Sequence, residues 1–286
     1  MQAETKHLLE GVLGAPIKSL RSVSGGDIAR AYLIETSSNR LFCKMMPGKK
    51  GLEMLHAELE GLEQIRETGS IKAPRVYFCE RLGEQACLGM EYVESKNPSS
   101  EEMRRLGEQL AQMHQSTSSL FGCPSDNYIG SLPQPNKQHS SWVSFYVKQR
   151  LLPQFQMALS QNLMHTDEIP NIEHMVAALS PFLKEVSPAL LHGDLWSGNY
   201  LISNSGEPYL IDPAVYYGDP VVDLAMSRLF GGFGAHFYQA YNATAGLIER
   251  EEDKIQLYQL YYLLVHLNLF GASYYGGVKR IMDMYF

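Results

Sequence analysis

The most informative motif of the chain is LLHGDLWSGN at positions 190 to 199, followed by YLID at positions 209 to 212. Two short β-type runs, residues 200–202 and 209–211, flank the turn-rich segment SNSGEP, so this part of the chain is predicted to form a hairpin. A hairpin brings together the residue before its first strand and the residue after its second. We therefore expect Asn199 to lie close to Asp212.

Three polar residues in this stretch have the spacing of a kinase-type phosphotransferase. Asp194 is followed by Asn199 five positions later and by Asp212 after an apolar strand. The pattern predicts that Asp194 orients the attacking hydroxyl and accepts its proton, and that Asn199 and Asp212 bind Mg²⁺ through hard oxygen atoms. The alternative is that all three residues only cap and pin neighbouring loops, as single loop Asp and Asn residues often do. The complete spacing favours the catalytic interpretation.

The pattern of the chain changes character once, near residues 93–98. Strand-like runs and one long helix dominate residues 1–92, whereas helical spacing dominates residues 93–286. The segment from Ser99 to Glu102 has the Ser-x-x-Glu pattern that begins a helix. We predict an α+β, two-lobed protein-kinase-like fold, with a small, mainly β nucleotide-binding lobe at 1–92 and a larger, mainly α catalytic and substrate lobe at 93–286.

The first lobe contains a candidate ion pair. Lys44 lies on the third strand-like run, where a kinase-type lysine contacts the α- and β-phosphates of ATP. Glu58 is placed on the next helix to pair with it, but Glu53 and Glu60 lie on the same helix and spacing alone does not exclude them. The alternative for each of these side chains is a solvated surface charge.

Two further segments of the first lobe are candidate nucleotide contacts. Gly25 and Gly26 form a turn of low side-chain bulk, where backbone N–H groups can approach phosphates, although an ordinary hairpin turn has the same composition. The crossing between the lobes, Glu91, Tyr92 and Val93, can offer main-chain N–H and C=O groups to adenine.

Several longer motifs identify a family. The segments HGDLWSGN (192–199), IDPA (211–214), GDPVVDLAM (218–226) and LFGGF (229–233) resemble the fructosamine kinase family, also called ketosamine kinases. Similar stretches lie at 106–111, 121–131, 142–151 and 258–271, so the resemblance covers nearly the whole chain. The resemblance implies an ATP-dependent kinase that phosphorylates the 3-hydroxyl of a fructosamine or ribulosamine, free or on glycated lysine, in deglycation.

The resemblance also implies roles for individual residues. Trp196 would face the substrate, the alternative being a buried anchor for its loop, and Asp223 would tether the backbone of the loop from His192 to Asp194 or cap its own helix. His266 and Asn268 are possible substrate contacts, with hydrogen bonding inside the helical core as the alternative. Two rival functions share the motif frame: an aminoglycoside- or choline-type kinase, and a non-catalytic kinase-fold binding module.

Composition and charge restrict the other possible partners. A net charge of −7 argues against binding to nucleic acid or to an anionic membrane surface. The four cysteines have no Cys-x-x-Cys spacing, which argues against a zinc site. The first residues lack the basic and then apolar layout of a secretory signal, and no apolar run is long enough to cross a bilayer. We therefore expect a cytoplasmic enzyme with a small-molecule substrate.

Overall fold

The chain divides into two compact units. The computed structural model describes residues 3–23, 29–183, 185–246 and 252–286, so the predicted turn at Gly25 and Gly26 lies outside the described residues. The first unit comprises Met1–Glu102 and Tyr200–Pro213, and the second comprises Met103–Asn199 and Ala214–Phe286. Within the described part of the chain, no helix is both long and apolar enough to span a membrane.

The first unit is built on a five-stranded antiparallel sheet. In chain order the elements are α1 (Ala3–Leu13), β1 (Ser19–Val23), β2 (Arg30–Glu35), β3 (Arg40–Pro47), α2 (Gly48–Glu67), β4 (Val76–Leu82), β5 (Gln85–Glu91) and β6 (Ser95–Lys96). The strand order in the sheet is β1-β2-β3-β5-β4. The central strand β3 is buried over most of its length, as expected for a strand with neighbours on both sides. The strands and the long helix predicted for residues 1–92 are present.

The alternation of side chains along β3 separates an apolar face from the functional face. Cys43 and Met45 point into a core cluster that also contains Leu9 of α1. Because successive side chains of a strand point to opposite faces, Lys44 points away from this cluster. It faces helix α2, whose Glu58 contacts it.

The second unit is mainly helical. Its elements are α3 (Ser100–Met113), β7 (Asn127–Ile129), β8 (Leu132–Gln134), α4 (Trp142–Phe145), α5 (Leu152–Ser160), α6 (Ile172–Leu179), β9 (Ala189–Leu191), β12 (Tyr216–Gly218), α7 (Val221–Leu229), α8 (Gly234–Ala245), α9 (Glu252–Phe270) and α10 (Tyr275–Tyr285). A π-helical turn joins α4 to α5. Helix α3 begins at the predicted box, in which the Ser99 backbone N–H donates to Glu102 Oε2 over 2.8 Å.

The predicted hairpin after Asn199 is also present. It consists of β10 (Tyr200–Ser203) and β11 (Pro208–Leu210), with Tyr200 opposite Leu210, and β10 also pairs with β6. This hairpin belongs to the first unit, as do residues 93–102. The compact units therefore differ from the division predicted at residue 92, because a separate stretch of chain completes the first unit.

Helix packing in the second unit leaves no room for a side chain at Gly107. A Cβ added there would overlap with the carbonyl oxygen of Phe237 on α8, whereas one added at Gly11 on α1 would meet no atom within 4 Å. We expect Gly107→Ala to destabilise the protein by about 1–3 kcal/mol, as overpacking does. Gly11→Ala is the matched control and should raise stability by about 0.5–1 kcal/mol. Thermal unfolding of both variants checks this, and equal midpoints would contradict it.

Candidate active site

In the first unit, one lysine contacts two carboxylates. The Nζ atom of Lys44 lies 2.8 Å from Glu58 Oε1 and also contacts Asp212 Oδ1. The ion-pair partner on α2 is therefore Glu58, whereas Glu53 contacts Lys49 at the surface. Lys44 is a buried cation held by charge-assisted hydrogen bonds, which is the arrangement that a phosphate-binding kinase lysine requires.

Burial and pairing act in opposite directions on this cluster. Burial disfavours the ammonium of Lys44, but the carboxylates of Asp212 and Glu58 outweigh it and raise the pKa of Lys44. Burial raises the pKa of Glu58, while the ammonium of Lys44 opposes that rise. Lys44 therefore stays positively charged in the physiological range.

Asp212 adopts a backbone conformation that few residues tolerate. Its φ angle is +54°, in the left-handed region, where Asp and Asn occur more often than other non-glycine residues. It follows β11 and directs its partly exposed carboxylate toward Lys44. Unusual backbone angles of this kind are concentrated at functional sites.

In the second unit, Asn199 fixes the position of Asp194. The Asn199 side-chain Nδ2 donates to the backbone O of Asp194 over 2.8 Å and to its Oδ2 over 3.2 Å. Asn199 is buried, and these two bonds orient its amide so that Oδ1 is the hard oxygen it can present to a cation. The predicted base and one predicted metal ligand thus share one loop, and the second predicted ligand, Asp212, belongs to the other unit.

A buried carboxylate holds the start of the same loop. Asp223 on α7 accepts hydrogen bonds from the backbone N–H groups of His192, over 2.7 Å, and Gly193, over 2.9 Å. The side chain of His114 also bonds to Asp223, over 3.1 Å. The tether implied by the family resemblance is therefore present. The ring of His192 accepts from the backbone N–H of Asp194, which is a bracing role.

Gly193 is required by two features of this turn. Its φ angle is +82°, and an added Cβ would overlap with the carbonyl oxygen of Ala214. Its own carbonyl accepts a hydrogen bond from the hydroxyl of Tyr262 on α9 over 2.8 Å. No sequence signal indicated this contact, because the two residues are 69 positions apart.

The predicted substrate contacts occupy different environments. The side chain of Trp196 is 40% exposed, and its ring covers Gly198, so it is not a buried anchor. Asn268 is buried and donates to Gln154 O and Oε1, which is the core hydrogen bonding kept as an alternative. His266 is partly buried, and its Nδ1 lies 2.7 Å from the carbonyl oxygen of Tyr262.

The predicted adenine-contacting segment begins at the end of β5. The Glu91 backbone N–H donates to Arg75 O, and the guanidinium of Arg40 lies over the ring of Tyr92. Val93, like Glu91 and Tyr92, is half-buried.

Comparison with known proteins identifies the family. The fructosamine kinase family model matches residues 1–286. A probable ketoamine kinase of Enterococcus faecium is 38% identical, over 91% of this chain and 93% of the relative. The ketosamine-3-kinase of Mus musculus is 32% identical, over 96% of this chain and 97% of the relative.

Solved structures agree with this result. A candidate fructosamine-3-kinase from Haemophilus somnus has a TM-score of 0.87 at 27% identity and covers 98% of this chain and 96% of its own. An aminoglycoside phosphotransferase in a complex with ADP and hygromycin B has a TM-score of 0.64 at 14% identity, with 97% of each chain covered, which shows a shared fold alone. The chain belongs to the fructosamine kinase family and is a phosphotransferase, and the predicted protein-kinase-like α+β fold is confirmed.

The tether at Asp223 can be tested by changing one atom of its carboxylate. Asp223→Asn replaces one acceptor oxygen by an NH₂ group and leaves a buried N–H of His192 or Gly193 without an acceptor. We expect a loss of about 1–3 kcal/mol of stability, together with a lower kcat, since the loop that carries Asp194 loses an anchor. Asp167→Asn, at an exposed position between α5 and α6, is the control and should change stability by less than about 0.5 kcal/mol. Equal unfolding midpoints for the two variants would exclude the tether.

Proposed function

We propose that this protein is an ATP-dependent ketosamine kinase that phosphorylates the 3-hydroxyl of a fructosamine or ribulosamine, as a step in removing sugars from glycated amines. One observation carries the proposal: in a chain of the fructosamine kinase family, the Asp194 carboxylate is oriented by the amide of Asn199 on a loop anchored by Asp223. A carboxylate held in this way is suited to general-base catalysis on a hydroxyl.

Asp194 would perform the proton transfer. It orients the sugar hydroxyl and accepts its proton as the hydroxyl oxygen attacks the terminal phosphate, and ADP leaves. The rest of the catalytic effect comes from holding the reacting groups in position and from fixed charges, because phosphoryl transfer needs little covalent help from the protein. Trp196, an exposed ring two residues after Asp194, is suited to contact the sugar.

The first unit would bind the nucleotide. Lys44, kept charged by its two carboxylates, is suited to the α- and β-phosphates, and the main chain of residues 91–93 to adenine. Gly25 and Gly26 stay candidate phosphate contacts. The donor atoms Asn199 Oδ1 and the Asp212 carboxylate are the hard oxygens that Mg²⁺ prefers, so these residues would hold the metal. When bound, Mg²⁺ neutralises charge on the phosphates.

The rival functions have weaker support. The aminoglycoside phosphotransferase shares only the fold, whereas ketoamine and ketosamine kinases are 38% and 32% identical over nearly the whole chain. A non-catalytic binding module would not need the ion pair between Lys44 and Glu58 together with an oriented Asp194.

The substrate class is tested by a panel of acceptors. We expect the protein with Mg·ATP to add one phosphate to ribulosamines or fructosamines, including a glycated lysine derivative, and to leave kanamycin and choline unmodified. Mass spectrometry detects the added phosphate, and fragmentation locates it on the sugar. Transfer to kanamycin or choline but to no ketosamine would refute the proposed substrate class.

The roles of the two aspartates can be separated by their effects on chemistry and on binding. Asp194→Asn should lower kcat by about 10²–10⁴-fold while leaving the Kd for Mg·ATP near that of the unmodified protein, because the base takes no part in binding. Asp212→Asn should instead weaken Mg²⁺-dependent nucleotide binding, measured by calorimetry with and without Mg²⁺. Asp194→Asn that turns over ketosamine at the parent rate would rule out this base.

A further inference from the structure

Four aromatic rings form a cluster on the second unit that the proposed chemistry does not use. The ring of His266 lies 4.7 Å from that of Phe230, 5.4 Å from that of Phe270 and 5.1 Å from that of Tyr274, measured between centroids. Phe230 is 44% exposed and Phe270 is 53% exposed. Large aromatic side chains gathered at the surface, rather than scattered singly, indicate a binding surface.

The cluster lies beside the loop that carries Asp194. Two residues after Phe230, a Cβ added at Gly232 would lie 2.5 Å from the Cβ of Ser197. Ser197 follows Trp196, so the backbone leading out of the cluster packs directly on the catalytic loop. Tyr262 makes a second connection, because its hydroxyl donates to Gly193 O and its carbonyl contacts the ring of His266.

His266 is held as a neutral ring with a defined acceptor. Burial lowers the pKa of His266, and the hydrogen bond to the carbonyl of Tyr262 opposes this only in part. A carbonyl oxygen only accepts hydrogen bonds, so Nδ1 carries the proton. In the neutral ring, Nε2 is then an acceptor. A neutral imidazole also does not repel an ammonium group.

We propose that this cluster is the subsite for the amine side of the ketosamine: Phe230, Phe270 and Tyr274 contact the apolar substituent on the nitrogen, and Nε2 of His266 accepts a hydrogen bond from the substrate ammonium. The inference rests on the proposed function. It assigns a binding site to the amine substituent, which is the part of the substrate other than the phosphorylated sugar. It makes the cluster the determinant of which glycated amine is accepted.

The chemistry of the cluster fits the amine side better than the sugar. The rings of Phe230 and Phe270 offer no hydrogen bonds for the several hydroxyls of an open-chain sugar, which would lose their water partners there. An alkyl or aryl substituent loses nothing by leaving water, and aromatic faces attract an adjacent ammonium. The sugar then binds at the loop of Asp194 and Trp196, where the Asp194 carboxylate accepts the proton of the reacting hydroxyl.

The test uses two substrates with the same sugar. Ribulosamines prepared from methylamine and from hexylamine differ only in the apolar substituent. We expect the unmodified protein to have the lower KM for the hexylamine adduct. Phe270→Ala should raise that KM roughly tenfold, through lost apolar contact, and change the KM of the methylamine adduct much less, with kcat unaltered. Phe230→Ala should act in the same direction.

Further variants distinguish a failure of the proposed subsite from a failure of the proposed function. Tyr77→Ala removes a side chain that is also 53% exposed, on β4, and should leave both KM values unchanged. His266→Phe should raise KM for both adducts alike, since both carry the same ammonium. Equal losses on the two adducts with Phe270→Ala, or no loss on either, would overturn the subsite. An unmodified protein that phosphorylates neither adduct, nor any other ketosamine, would instead refute the proposed function.

Discussion

The loop that carries Asp194 depends on the buried carboxylate of Asp223. The loop from His192 to Asn199 has no neighbouring strand along most of its length, so its backbone N–H groups need other acceptors. Asp223 accepts from two consecutive N–H groups, and a buried charge is tolerated because those bonds and the bond from His114 satisfy it. His114, the residue that follows α3, is bonded in turn to Tyr241 on α8, so three separate parts of the chain support one turn. The position of Asp194 follows from that support.

The first unit also contains a buried charged group, in this case the cation of Lys44. Lys44 is buried in a sheet, where a lone ammonium would be strongly unfavourable, and it is retained by Glu58 and Asp212. The two carboxylates reach Lys44 from different parts of the chain: Glu58 lies on α2, and Asp212 is the second residue after β11. Side chains alternate along β3. Because Cys43 and Met45 point into the apolar core on one face, Lys44 points to the other face, where it meets both carboxylates. Each unit therefore contains a charged group fixed by several independent parts of the chain.

Helix α9 contacts both the loop that carries Asp194 and the aromatic cluster of the second unit. Tyr262 supports Gly193 through its hydroxyl and His266 through its carbonyl, and Phe270 ends the same helix. A helix with contacts at both places would hold the proposed substrate-binding surface at a constant distance from the proposed base. Asn268, on the same helix, faces the interior instead, where its amide donates to the backbone O and the side-chain Oε1 of Gln154.

Much of the site could be read from local patterns in the sequence. The sequence alone was enough to predict four features, since each depends on neighbouring residues or on a period of 2 or 3.6: the motif spacing around Asp194, the hairpin after Asn199, the helix-start box at Ser99 and the strand that carries Lys44. The folded chain was needed to show that Glu58 rather than Glu53 or Glu60 contacts Lys44, that the hairpin belongs to the first unit, that Tyr262 supports Gly193, and that Phe230 and His266 meet. These contacts join residues that are distant in sequence. Which side chains meet depends on how whole elements pack, and no local pattern records that.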